Sequence, residues 1–295
     1  MKNFKVLALC ALTAGIFYSC EKEESVSEVS TEATTELSEK DQIALIEAGV
    51  NPLHAEYYTK EDIDGTLTKG ILAGSENFKD IFIALDDLTN QSLSKGSDVE
   101  TKQYRSNNLV ARNSVIDVVG YTGNCSNGRS CALSPVMQQG LRLAINNYNA
   151  LNISLRFRLT FSSNPNGADI IIFNPGGTNA GGIAEFPSGG RPGDVIRIFG
   201  GMNRFNTNVN EHVMTHEIGH ALGFRHTDYA RRRCDGTNEE RPISGFGAIR
   251  IPGTPSGNQW NGPNIDSNSI MISCFDNQED GEFSNFDRIA LRTLY

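Results

Sequence analysis

Residues 216–226 read HEIGHALGFRH, and three of the chain's five histidines stand in that run. His216 and His220 are four apart, so on an α-helix they leave the same face one above the other. Imidazole nitrogen is a ready zinc ligand, and catalytic zinc often keeps three protein ligands with water in the fourth position. Gly223 follows within one turn of His220, and glycine adopts the left-handed backbone that ends a helix sharply. That turn would bring His226 back as the third ligand. Glu217 stands beside the first ligand, placed to reach a bound water without itself becoming a ligand. A carboxylate there can take a proton from water and pass it to a leaving group. The spacing therefore predicts metal-assisted hydrolysis. The simpler reading, a core helix with chance histidines, does not account for ligands, carboxylate and glycine all standing at working spacing. His212, one turn earlier, is read as a solvated or capping histidine and left out of the ligand set.

The element that must carry this run is a helix. Asn208 followed by Glu211 at the third position has the pattern of a capping box. In 100° steps His216 and His220 fall on one side, with Met214, Ile218, Ala221 and Leu222 roughly opposite. One face would enter a core and the other a cleft. Upstream, Val115–Tyr121 and Ile153–Phe161 alternate as strands, and Ser134–Asn149 has a helical pattern. Ala168–Phe173 is nearly continuously apolar, as in a strand covered on both faces. A Gly-rich stretch, 176–193, leads to a strand at Val195–Phe199. Near the N-terminal end, Asp41–Ala48 reads as a helix and Ser75–Leu88 as another. The last helix is Asn285–Leu294. The fold class is α+β: a twisted mixed sheet, a long active-site helix and an irregular C-terminal lobe.

Lys2 and Lys5 precede an apolar run from Val6 to Tyr18 that ends in Ser19-Cys20. This is the layout of an export signal, too short to span a membrane. Its Ser-Cys end resembles a lipobox, making Cys20 the expected lipidation site. Glu21-Lys22-Glu23-Glu24 resembles an acidic surface-export tag. Residues 1–19 are thus read as signal and 20–40 as a flexible acidic tether, too poor in apolar side chains to fold alone. The expected location is the outer membrane, reached through the lipid anchor only and with possible exposure at the cell surface. Residues 21–110 hold 19 acidic and 8 basic side chains, whereas 111–295 hold 16 of each. No basic patch suggests nucleic acid.

Four cysteines remain beyond Cys10 and Cys20: Cys125, Cys131, Cys234 and Cys274. Four cysteines allow three pairings. Cys125 and Cys131 bracket a short turn-forming loop and could bridge locally. A bridge between Cys234 and Cys274 would tie the segment after His226 to the segment around Met271. Free thiols are the alternative, and an oxidising compartment argues against it.

HExxHxxGxxH followed by a methionine turn is the metzincin signature. Ser269-Ile270-Met271-Ile272-Ser273 supplies the second half, and the resemblance implies that Met271 forms an apolar floor under the metal. Serralysins and astacins carry a tyrosine two residues after that methionine. Here the position is Ser273, so no tyrosine switch is expected. HEIGH at 216–220, GFRHTDY at 223–229, IPGTPSG at 251–257 and the closing aromatic helix resemble the dual-action HEIGH metallopeptidases. KQYR at 102–105, YNALN at 148–152 and FPSGG at 186–190 are similar to that group too. The resemblance implies a propeptide-like region at 41–101 and a metzincin-like catalytic domain at 102–295. It also implies Zn2+ on His216, His220 and His226, Glu217 as general base, and protein or peptide substrates; a monomer is expected, with nothing in the sequence to fix the oligomeric state. No cysteine lies between 21 and 124, so a cysteine latch on the zinc is excluded there. Matrixins carry structural ions on a similar glycine loop. That loop has no histidine here, and Asp194 with loop carbonyls leaves calcium only as an option beside a solvated loop. Two other functions fit the same residues: a surface lipoprotein that binds peptide or glycan around a structural metal, and a zinc amidase acting on cell-wall peptides.

Overall fold

A computed structural model describes residues 36–48, 50–74, 79–89, 103–106, 108–228, 249–257 and 259–295. The residues read as an export signal, as a lipobox with Cys20 and as most of a tether, together with Cys234, lie outside the described residues. The described chain begins with helix α1 (Glu39–Glu47), whose N-cap Ser38 accepts from the Asp41 N–H. Strands β1 (Glu56–Glu61), β2 (Leu67–Gly74) and β3 (Lys79–Ala84) follow, then a short helix α2 (Leu85–Leu88). β4 (Tyr104–Arg105) leads to β5 (Val115–Tyr121), α3 (Pro135–Ala150), β6 (Arg156–Ser162), β7 (Ile170–Phe173), β8 (Gly182–Glu185) and β9 (Val195–Ile198). A 3-10 turn then enters α4 (Thr207–Leu222), and β10 (Ile249–Arg250) and α5 (Asn285–Leu294) complete the body.

Eight strands form one sheet in the order β1-β2-β3-β8-β9-β7-β5-β6. β5, β6, β7 and β9 are parallel neighbours, and β5-α3-β6 is the crossover unit that parallel pairing requires. β8 reverses direction against β9. β3 then lies parallel to β8, and β2 and β1 continue antiparallel outward. α3 and α4 cross so closely at Gly140 that a Cβ there would stand 2.8 Å from the Asn210 and Glu211 backbone. Met137, Leu141, Ala144, Met214, Ile218 and Leu291 share one core with the sheet. A second, smaller core joins α1, β2 and β3 to Phe186. The mixed α+β architecture agrees with the sequence reading.

Three expectations differ from the structure. The helix read over Ser75–Leu88 is a strand at Lys79–Ala84, with helix only at Leu85–Leu88. Asp80-Ile81-Phe82-Ile83 is rich in β-branched and aromatic side chains, and pairing on both edges decides the matter. β8 lies inside the Gly-rich stretch read as a loop; Ile183-Ala184-Glu185-Phe186 was its signal. The helix read as two-faced, α4, is buried on every side from Val209 to Leu222: α3 and β8 pack on it, and Asp80 of β3 stands against His216.

Candidate metal centre

α4 starts at Asn206, not at Asn208: the Asn206 side chain accepts from the Val209 N–H at 3.0 Å. The Asn210 amide donates to the Met202 and Asn206 carbonyls, which fixes that start. Glu211 consequently faces α3 and accepts from Asn147 at 2.8 Å. The helix ends as the sequence predicts. Gly223 has φ 107°, and its N–H returns to the carbonyls of Gly219 and His220. A Cβ at Gly223 would also lie 2.6 Å from the Asn108 carbonyl, so only glycine fits the turn.

That turn brings His226 to the helix histidines. Its Nε2 lies 3.1 Å from His216 Nε2 and 3.0 Å from His220 Nε2. The outer nitrogens are held by carbonyls: His216 Nδ1 by Ile270 at 2.7 Å and His220 Nδ1 by Phe224 at 2.9 Å. A carbonyl only accepts, so each Nδ1 carries the proton and each Nε2 presents its lone pair inward. Metal-binding histidines are usually oriented in this way. Burial, then the neighbouring His216 and His226, hold His220 well below its ordinary pKa, which keeps it neutral. Three converging imidazoles fit zinc.

Sequence reasoning missed the fourth member of the group. Asp80 on β3 is fully buried, with Oδ2 2.9 Å from His226 Nε2 and 3.7 Å from His216 Nε2. Ligand atoms of Asp80, His216, His220 and His226 all lie within 4.8 Å of one another, the one such group among the described residues. No ligand-spacing motif announces Asp80; only the strand pairing of β3 brings it to the site. Asp194 joins no such group and instead engages Glu185.

Glu217 is fully buried, and its carboxylate oxygens have no hydrogen-bond partner among the described residues. The β8 backbone touches it, since a Cβ on Gly182 would stand 2.8 Å from Glu217 Cγ and Oε1. Burial, then the charge of Asp80, push its carboxyl well above the ordinary range. A bound dication acts in the opposite direction.

Met271 is buried and packs on Gly219 of α4; a Cβ at Gly219 would lie 2.4 Å from Met271 Sδ. The turn carrying it is anchored at several points. Asp287 of α5 accepts from the Ile270 N–H at 2.9 Å, from Ser269 Oγ at 2.6 Å and from Gln103 Nε2 at 2.8 Å. The Thr227 N–H donates to the Met271 carbonyl at 2.8 Å. Ser273 donates to Asp228 through its N–H at 3.0 Å and its hydroxyl at 2.7 Å. Asp228 therefore ties the His226 loop to the methionine turn, at the position where a tyrosine switch was not expected. Cys125 and Cys131 form a disulfide. Cys274 is disulfide-bonded as well, and its expected partner Cys234 lies outside the described residues. His212, read as a solvated or capping histidine, is buried: it pairs with Glu279 at 3.1 Å, and its ring stacks on that of His216 at 6.5 Å between centroids.

Gly219→Ala is expected to lower stability by about 1–3 kcal/mol, the usual cost of overpacking. Thermal unfolding measures it, and an unchanged melting temperature would show that the methionine turn yields freely.

The model of the dual-action HEIGH metallo-peptidase family matches residues 78–295. The chain belongs to that family. The match spans the Asp80 strand, the HEIGH helix, the His226 turn and the methionine turn. Two solved structures of myroilysin are also similar, each at 14% identity and a TM-score of 0.38. The first alignment covers 63% of this chain and 81% of that one, the second 66% and 89%. Comparison with curated proteins gives no match.

One side chain of this metallopeptidase makes its stability depend on pH. The Glu211 carboxyl is pushed up from 4.5 to about 7, chiefly by burial and then by Glu282. The folded protein thus keeps a proton that the unfolded chain releases. The sign follows: stability is lost as pH rises from the unfolded pKa towards 7. Glu211→Gln keeps an acceptor for Asn147 and removes the charge. Its melting temperature should exceed the parent's by at least about 2 °C at pH 8 and show no gain at pH 4.5. An equal gain at both values would contradict this assignment.

Proposed function

We propose that the chain is a zinc endopeptidase, with His216, His220 and His226 as metal ligands, Glu217 as general base and Met271 beneath the site. The observation that carries this reading is the convergence of three Nε2 atoms, two of them on rings whose outer nitrogens are fixed on carbonyls, beside the buried Glu217. Bound zinc supplies a Lewis acid that polarises the scissile carbonyl and lets water lose a proton near pH 7. Glu217 accepts that proton while the water oxygen bonds to the carbonyl carbon. It then delivers the proton to the amide nitrogen as the carbon–nitrogen bond breaks, so the carboxylate is regenerated. The Ile270 and Phe224 carbonyls keep the ligand rings from turning.

The reading extends to an exported lipoprotein with Cys20 lipidated and displayed at the outer membrane. The basic, apolar and Ser19-Cys20 sequence supports it, as does the Cys125–Cys131 disulfide, which suits an oxidising compartment. Among the described residues no helix is long and apolar enough to cross a membrane.

Mass spectrometry of products from casein and from purified cell-wall peptides tests the substrate class, using the zinc-loaded chain and its Asp80→Ala variant. Internal cuts in casein are the expected result. Cuts confined to cell-wall peptides would make the protein an amidase. No cut in either substrate would favour a peptide- or glycan-binding module.

A further inference from the structure

We infer that β3 is a built-in inhibitor of the metal centre: Asp80 acts as a fourth ligand, and its strand occupies the edge of β8 beside Glu217. This rests on the zinc-site reading given above. No cysteine lies between 21 and 124 to act as a latch, and the structure puts a carboxylate from that region at the site instead. Asp80 is fully buried and stands 2.9 Å from His226 Nε2. Carboxylate oxygen is an ordinary zinc ligand, and four protein ligands make a closed site, whereas catalysis needs the fourth position open.

The strand carrying Asp80 is held along its length. Ile81 and Phe82 pair in parallel with Ala184 and Glu185 of β8. β8 is otherwise the last strand of the β8-β9-β7-β5-β6 set, and Gly182 on it touches Glu217. An extended peptide reaching Glu217 along that edge would need the place that β3 takes. Side chains from the body fix the segment around it. Lys60 on β1 forms an ion pair with Glu185, directly after the β8 residue opposite Ile81. Arg197 Nη2 donates to the Glu61 carbonyl at 2.8 Å and meets Asp62 at 3.1 Å. Arg225, next to the ligand His226, donates to the Ala48 carbonyl at 2.6 Å and lies 3.5 Å over the Phe186 ring. Phe186 in turn shares the small core of α1, β2 and β3.

The test uses the full chain loaded with cobalt(II), whose visible absorption reports the ligand set, titrated with acetohydroxamic acid as a metal-seeking probe. Parent, Asp80→Ala and the near-isosteric Asp80→Asn are compared, with circular dichroism confirming that each is folded. Both variants are expected to show an altered cobalt spectrum and to bind the probe at least about a hundredfold more tightly. That is the gain when an occluding group present about 99% of the time is removed. Cobalt bound equally in all three, with the same spectrum and the same titration, would overturn the inference alone. Failure of all three to bind cobalt would overturn it together with the zinc-site reading. Variants that open to the probe but cut no peptide would support the occlusion and count against the proposed activity.

Discussion

Replacing Glu217 with alanine is expected to leave zinc in place and remove peptide hydrolysis. Glu217 lies beside the ligands but is not one of them, so zinc content after dialysis should match the parent. What disappears is the proton carrier. A positioned general base contributes about 10²–10⁴ in rate, and the variant should lose at least that much. Glu217→Gln fills the same fully buried space without accepting a proton and should be as inactive. The comparison belongs both in the intact chain and in the Asp80→Ala background, so that occlusion by β3 does not mask the result. A Glu217→Ala protein that cuts as fast as its parent would remove Glu217 from the mechanism.

His226→Ala is expected to cost the metal itself. His226 Nε2 lies about equally far from His216 and His220, at 3.1 and 3.0 Å, so it completes the three-nitrogen face. Loss of a hydrogen-bond partner behind a ligand typically weakens zinc binding 10–100-fold, and loss of the ligand should exceed about a hundredfold. Competition against a zinc-sensitive dye measures this directly. The same change removes the partner of Asp80 at 2.9 Å and leaves a buried carboxylate against two histidines, so thermal stability should fall as well. Parent-like zinc affinity in His226→Ala would mean that the ion sits elsewhere.

The centre was legible where chemistry imposes local spacing. His216 and His220 share a helical face, Glu217 must neighbour a ligand, and Gly223 has to take φ 107°; all of this can be read along eleven residues. The second glycine, Gly219, has its reason in the distant Met271, which no local rule reveals. Asp80 was illegible for the same cause. It is one acidic residue in an acidic region, and only the pairing of β3 with β8, about a hundred residues later in the chain, brings it to the histidines. The strand was also misjudged locally as helix, because short apolar runs carry no decisive period and tertiary pairing settles them. β8 was hidden by glycines, one of which, Gly182, is there to let Glu217 approach the backbone. Asp287 and Asp228, which hold the methionine turn and the His226 loop together, are ordinary carboxylates in sequence. They gain meaning only from the folding-back of the tail.

The central claim is tested most directly by hydrolysis of fluorescein-labelled casein, using the purified full chain and its Asp80→Ala variant. Each is assayed with and without a zinc chelator, after zinc is restored, and beside the corresponding Glu217→Ala protein. The account predicts cleavage that is stronger in Asp80→Ala, stops with chelator, returns with zinc and is absent without Glu217. Cleavage that persists through both chelation and Glu217→Ala would contradict it, as would no cleavage from folded, zinc-loaded Asp80→Ala protein.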